Sequence, residues 1–301
     1  MIGALDRLAA AGLARKNRPV LVRIAAGRRR HALRLLLEGF VELARERRLI
    51  RSLAAAEMRR TGANTFLGNV WWVLNPLLQV TVYLVLLSLF LGRRTPDQAL
   101  FLLVAIVPWI WFAGSTQAAI GSVVARERLI RQAHFPRLVL PVSSQLAGLG
   151  HFAFGLVTVL AIVALFFPAR LSPMIVYVPI VALVQALLAL AVGVGLAAVN
   201  VYVRDVGPLS RHVFRLWFYV SPALWDLDAI RPDLASQHPV GLALVEANPM
   251  AVLLTAWRRV LYGGTPPDMT AVAAVGLAAS VLLLISVTVF KRLEPGFAKV
   301  L

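Results

Sequence analysis

The chain contains no cysteine, which excludes disulfides, thiolate metal sites and cysteine nucleophiles while leaving its redox compartment open. Charge is scarce: 15% of the 301 residues are Asp, Glu, Lys or Arg, and acids number 14 against 31 bases. Neither sign occurs in five long runs, 61–92, 98–125, 138–169, 171–203 and 269–290. Ion-coupled transporters and pumps carry ionisable groups at bilayer depth to mark an ion path. Here only His151 stands in such a run, and it reads first as a residue hydrogen-bonding between helices. The five histidines, at 31, 134, 151, 212 and 238, have no metal-ligand spacing. No Gly-rich loop ends in Lys-Ser or Lys-Thr to cradle a phosphate, and no internal repeat marks an inverted-repeat transporter. These absences leave a pathway-sized chain without an engine, and a separate energy-supplying partner is expected.

What is present is apolar. Hydrophobic residues make up 59% of the chain and its mean hydropathy is +0.78, which places it among integral membrane proteins. A net charge of +17 could suggest nucleic acid, but the bases crowd residues 1–60 and then recur only between apolar runs. That is the distribution the positive-inside rule produces, so no nucleic-acid partner is expected. Apolar stretches before Arg60 are broken by arginines and form no signal-peptide core; the first span is expected to be its own insertion signal.

Each of the five runs can cross the roughly 30 Å hydrocarbon layer. Residues 204–268 are ambiguous, being punctuated by Pro222, Pro232, Pro239 and Pro249. Placing Lys291, Arg292 and Lys299 on the same side as the fifteen N-terminal bases requires an even number of crossings. The expectation is therefore an all-α integral membrane fold with six spans, at about 67–91, 99–122, 139–166, 174–202, 206–225 and 269–290. Residues 239–262 would be re-entrant on the outer side. Both termini would be cytoplasmic, putting 25 of the 31 Lys and Arg residues inside. Arg211 and Arg215 would snorkel toward headgroups from the inner end of the sixth span.

Residues 1–60 form a basic arm ending in an amphipathic segment. Leu33, Leu36, Leu37, Phe40, Val41 and Ala44 recur at helical spacing with arginines opposite, as in an interfacial helix on the inner leaflet. Between the second and third spans, residues 126–137 combine Glu127, Arg128 and Arg131 with an apolar edge of Leu129, Ile130 and Ala133. Phe135, Pro136 and Arg137 follow, and Pro136 disfavours helix at Phe135. Aromatic residues recur along the spans: Tyr83, Trp109, Trp111, Phe112, Phe152, Phe154, Trp217 and Tyr219. Such rings stack on the C–H faces of sugars, or serve as an interfacial belt, the role expected of Trp71, Trp72 and Trp225 near span ends.

The run 61–76, TGANTFLGNVWWVLNP, together with 129–141, LIRQAHFPRLVLP, resembles the permease subunits of type-2 ABC exporters for lipid-linked polysaccharides: the O-antigen, teichoic acid, capsule and galactan exporters. Arg204-Asp205-Val206, Ser221-Pro222, Asn248-Pro249 and the terminal 290–297, FKRLEPGF, match in order, so the likeness runs from about residue 50 to the C-terminus. It departs at Lys299, where the family commonly carries Asp. The resemblance implies a homodimer bearing two copies of an ABC ATPase, with ATP and Mg bound on that partner and no cofactor on this chain. Membrane lipids and a lipid-linked glycan would be its other partners. It implies further that 126–137 couples to the ATPase, with Arg204 and Asp205 as candidate inner-face contacts. The chain would not be an enzyme by itself. A drug or lipid permease of the same superfamily is the alternative. An enzyme of lipid-glycan assembly would have to draw on the outer acids Asp226, Asp228, Asp233, Glu246 and Asp268, which solvated loops explain more simply.

Overall fold

The computed structural model describes residues 32–62, 68–90 and 97–301, whose regular elements are all helices, joined by turns and short irregular segments, with no strand among them. Residues 1–31 of the basic arm therefore lie outside the described residues, and of Trp72 only the backbone is described. The helices are α1 (Ala32–Arg45), α2 (Arg47–Gly62), α3 (Trp71–Phe90), α4 (Gln98–Ala125), α5 (Glu127–Gln132), α6 (Val139–Phe166), α7 (Val178–Tyr202), α8 (Val206–Val220), α9 (Leu227–Gln237), α10 (Pro239–Glu246), α11 (Pro249–Arg258) and α12 (Met269–Val300). A π-helical turn, Arg259–Gly263, extends α11.

Among the described residues, four segments are long and apolar enough to cross a membrane: α4, α6, α7 with the turn before it (Pro173–Tyr202), and α12. The bent pair formed by α10 with α11 and its π turn would make a fifth, but its two halves meet at 79°. Such a bend fits a hairpin that enters and returns. The chain folds back at Asn248, whose side chain accepts from the Met250 amide at 3.0 Å and so caps α11. Helix α3 has 20 residues, with an apolar stretch of Val73–Leu89. At 1.5 Å per residue it measures about 30 Å.

The segment expected to cross at 206–225 is helical only over 206–220, 15 residues, or about 22 Å. It stops because Pro222 disfavours helix at the residue before it, and Ser221 is accordingly extended. Ser221 and Ala223 are nonetheless fully buried.

Helix α4 is the most enclosed of the four, with α6, α7 and α8 against it, while α7 runs along α12. Small residues let the helices approach closely. A Cβ added at Gly148 of α6 would lie 2.3 Å from the Ser115 Cβ of α4, and one at Gly193 of α7 would lie 2.9 Å from the Ala119 Cβ. Polar side chains in this apolar core bind backbone groups. Gln185 Nε2 donates to the Pro108 carbonyl at 2.7 Å, and its Oε1 accepts from Trp257 Nε1 at 2.7 Å, so one amide joins α7, α4 and α11. Asn200 similarly donates to the Ile120 carbonyl and accepts from the Gly207 amide, tying α7 to α4 and to the first turn of α8.

Helix α1 packs on α12 through Leu35 and Gly39, both buried. Leu33, Leu37, Phe40 and Val41 of the sequence-derived apolar stripe stay exposed. Most of the stripe is thus presented outward, while Leu36 and Leu43 contact the protein core.

Candidate functional site

Two regions gather the residues singled out in the sequence. The first is an open groove of about 420 Å³ between α3, α4 and α8, lined among others by Tyr83, Trp109, Phe214, Phe218 and Tyr219, with Gln79 and Gln117 between the rings. Its rings brace one another: Tyr83 stacks on Phe218 at 5.6 Å between centroids, and Trp109 lies 5.4 Å from Phe218 and 6.2 Å from Trp217. Tyr219 is exposed while Trp109 is buried apart from the edge it turns to the groove. Trp217 lies behind the groove, where Nε1 donates to Asn248 Oδ1 at 2.8 Å and links α8 to the bend between α10 and α11. Arg211 and Arg215, one helical turn apart on α8, line the same groove.

The neighbouring aromatics Trp109, Trp111 and Phe112 part company. Three residues within one helical turn point in different directions, and only Trp109 of them reaches the groove. Phe112 is fully buried against Phe214 and Trp217. Trp111 faces the other side of α4, stacked on Phe152 at 4.1 Å, in a smaller pocket of about 190 Å³ that includes His151. Phe154 is exposed on α6.

The second region surrounds α5. Arg126 pairs with Glu57 of α2 at 2.6 Å, Arg131 with Glu127 at 2.9 Å, and Arg131 also donates to the main-chain carbonyl of Leu301. The Arg137 amide donates to Glu294 Oε1 at 2.7 Å. Glu294 in turn shares Lys291 with Glu42 of α1, at 2.6 and 2.7 Å. The loop is therefore bolted to α2, α12 and, through Lys291, to α1. Ile130 is 4% exposed and packs inward with Leu138 and Phe290, and Phe135 packs against the same cluster, whereas Leu129 is 39% exposed. Arg128 is exposed, as are Arg204 and Asp205 in the turn before α8, and Pro136 is half-buried. Of the apolar pair read from the sequence, only Leu129 is offered outward.

On the opposite end, Arg259 pairs with Asp228 at 2.8 Å and Arg231 with Glu246 at 2.5 Å. The Arg259 guanidinium holds the Asp228 carboxyl below its usual range. Buried Arg258 donates to the carbonyls of Trp225 and Ala223, and its guanidinium lies 3.8 Å from the centre of the Phe101 ring. These acids are thus bracing groups, and Asp268 caps α12 by accepting from the Thr270 and Ala271 amides.

Sequence reasoning missed the bridging amides Gln185, Asn200 and Gln117. The available signal was a few carboxamides inside runs lacking all charge, which in an apolar medium must find partners. It also read Arg211 and Arg215 only as snorkelling groups.

Residues 48–262 match the ABC-2 type transporter family. The chain is 31% identical over 258 residues to an O-antigen export system permease protein RfbA of Myxococcus xanthus, covering 86% of this chain and 97% of the relative. Two permeases of the same name from Klebsiella pneumoniae are each 27% identical, one over 79% of this chain and 89% of its own length, the other over 78% and 87%.

Proposed function

Since the chain belongs to the ABC-2 type transporter family, as a multi-pass transport subunit of a polysaccharide exporter, we propose that it is the permease of an ATP-driven exporter that moves a lipid-linked glycan of the O-antigen, teichoic acid or galactan type across the bacterial inner membrane. Two copies of this chain enclose the path, and two copies of a separate ATPase, which binds ATP and Mg, supply the work. The observation that carries this reading is the groove of Tyr83, Trp109, Phe218 and Tyr219. Rings offer sugars a face without demanding a fixed hydroxyl pattern, so a polymer can slide over them.

The proposed topology keeps six crossings with both termini inside. Helix α8 supplies about 22 Å of the sixth, and the turn at 221–225 carries the chain on to Asp226. Non-helical backbone is tolerated at membrane depth when buried in protein, and Ser221 and Ala223 are buried. The α10–α11 hairpin then lies on the outer side, α1 rests its leucine stripe on the inner leaflet, and α5 meets the ATPase, with Arg204 and Asp205 nearby on the same face.

The test is export of the glycan in cells carrying Tyr83→Ala or Tyr219→Ala. Slower polymer export at unchanged membrane abundance and ATPase association is expected. Normal export in both variants would remove the groove from the path.

A further inference from the structure

A cavity of about 300 Å³ opens between α9, α10, α11 and α12 and shares no residue with the groove. Along α12 it lies about 39 Å from Glu294 and the loop after α5. Its polar lining is Arg231, Glu246, Thr255, Arg259 and Asp268, set against Leu227 and Val252. Thr255 is 9% exposed, and its hydroxyl has no hydrogen-bond partner among the described residues. A buried hydroxyl without a partner is costly, so one that lines a cavity calls for a partner from outside the fold. The ion pairs leave atoms over as well. Arg231 gives one N–H to Glu246 Oε1, Arg259 gives Nε and Nη2 to Asp228, and Asp268 accepts its three bonds at Oδ1 alone. Among the described residues this leaves Glu246 Oε2, Asp268 Oδ2 and Arg259 Nη1 open to a ligand.

We propose that this cavity is an outer subsite for one neutral sugar unit, held through its hydroxyls. This rests on the exporter reading above and adds a second contact with the glycan, beyond the groove. Charge selects the ligand class. The lining charges balance, two guanidiniums against two carboxylates, and each guanidinium already has an acid. A phosphate or an ammonium would gain little without breaking a pair. A hydroxyl both donates and accepts. It can donate to a spare carboxylate oxygen and accept from a spare N–H with both pairs intact, and such charge-assisted bonds are the strong ones. The Thr255 hydroxyl adds a further partner, while Leu227 and Val252 give the C–H face of the ring an apolar wall. A unit held here, on the outer side, keeps an emerging polymer from slipping back.

Ala271→Cys places a single cysteine at the cavity of this cysteine-free chain. Its labelling by an impermeant maleimide is timed on the full chain in phosphatidylcholine nanodiscs. The probes are a short neutral oligosaccharide cut from the surface glycan of the native cells, inorganic phosphate, and glycine as a zwitterion. The oligosaccharide should slow labelling and the other two should not. No protection by the oligosaccharide, or equal protection by phosphate or glycine, would overturn the assignment. So would protection of a cysteine at Ser236, which is exposed on α9 outside the cavity. With Thr255→Val added, the same protection should take about 3- to 10-fold more oligosaccharide. The unfolding midpoint should not fall, because that hydroxyl holds nothing among the described residues. Unchanged protection in this variant would refute the subsite. Deletion of the chain separates the two readings: surface glycan that persists without it refutes the exporter reading, whereas glycan lost on deletion, with no protection in nanodiscs, sinks the subsite alone.

Discussion

Replacing Leu129 separates partner binding from internal packing more cleanly than any other change near α5. Burying a whole Leu side chain contributes about 1.5 to 3 kcal/mol. Leu129 is already partly covered, with 39% of its surface left exposed, so a groove that enclosed the remainder would gain about 0.6 to 1.2 kcal/mol. Leu129→Ala should then weaken association with the ATPase by about 3- to 8-fold, since 1.4 kcal/mol corresponds to tenfold. Leu129→Asp, which would bury a charge, should abolish co-purification and export together. Neither should alter the permease's own stability much. Ile130→Ala should do the reverse, because Ile130 is 4% exposed inside its own fold; a large-to-small change there costs about 2 to 5 kcal/mol of folding stability. The assay is ATPase affinity on immobilised permease beside the thermal unfolding midpoint of the permease alone. Normal ATPase affinity and export with Leu129→Asp would show that α5 is not the joint and would move attention to α1.

Gln185→Leu strands the Trp257 indole and removes a bridge between α4, α7 and α11, so it should lower the unfolding midpoint in detergent by an amount corresponding to about 1 to 3 kcal/mol; an unchanged midpoint would show that the bridge is energetically idle. Because the chain is free of cysteine, single cysteines report sidedness: at Ser236 and Thr265 they should react with an impermeant reagent from outside, and at Asp205 only from inside. Inside labelling at Thr265 would overturn the topology, and Ser210, buried with its hydroxyl donating to Gln117, is unsuitable as a probe. The depressed Asp228 carboxyl gives stability that is present above the ordinary carboxylate value of about 4 and is lost as pH falls below it through the folded value. The midpoint difference between wild type and Asp228→Asn should therefore shrink on acidification below about pH 4, and a constant difference would refute the pairing with Arg259.

Length and apolarity made α4, α6, α7 and α12 legible, because a run without charge that spans the hydrocarbon layer has few other uses. The proline-broken stretch 239–262 was read as too short to cross, and it folds as two helices bent at Asn248. The helical end at Val220 was also available in principle, since Pro222 disfavours helix at the residue before it; counting only charges ran the span past it. What could not be read was which way neighbouring residues turn. One turn of α5 is too brief a pattern to tell Leu129 from Ile130, and inside uniformly apolar α4 no polar stripe distinguishes the groove-facing Trp109 from the enclosed Phe112. Those assignments are made by contacts from distant helices, such as Phe214 and Trp217 on Phe112.

The lysine shared by Glu42 and Glu294 bears on biosynthesis. Glu42 and Lys291 are separated by 249 positions, so during synthesis α1 waits for nearly the whole chain before its counter-ion is made. Contacts of such long separation are slow to form. Until α12 inserts, Glu294 is also missing, and the main-chain amide of Arg137 has no carboxylate to hold the loop after α5 in place. A truncated or stalled chain could carry most of its spans and still present a loose α5, so the face proposed to meet the ATPase takes shape only when the last helix is in.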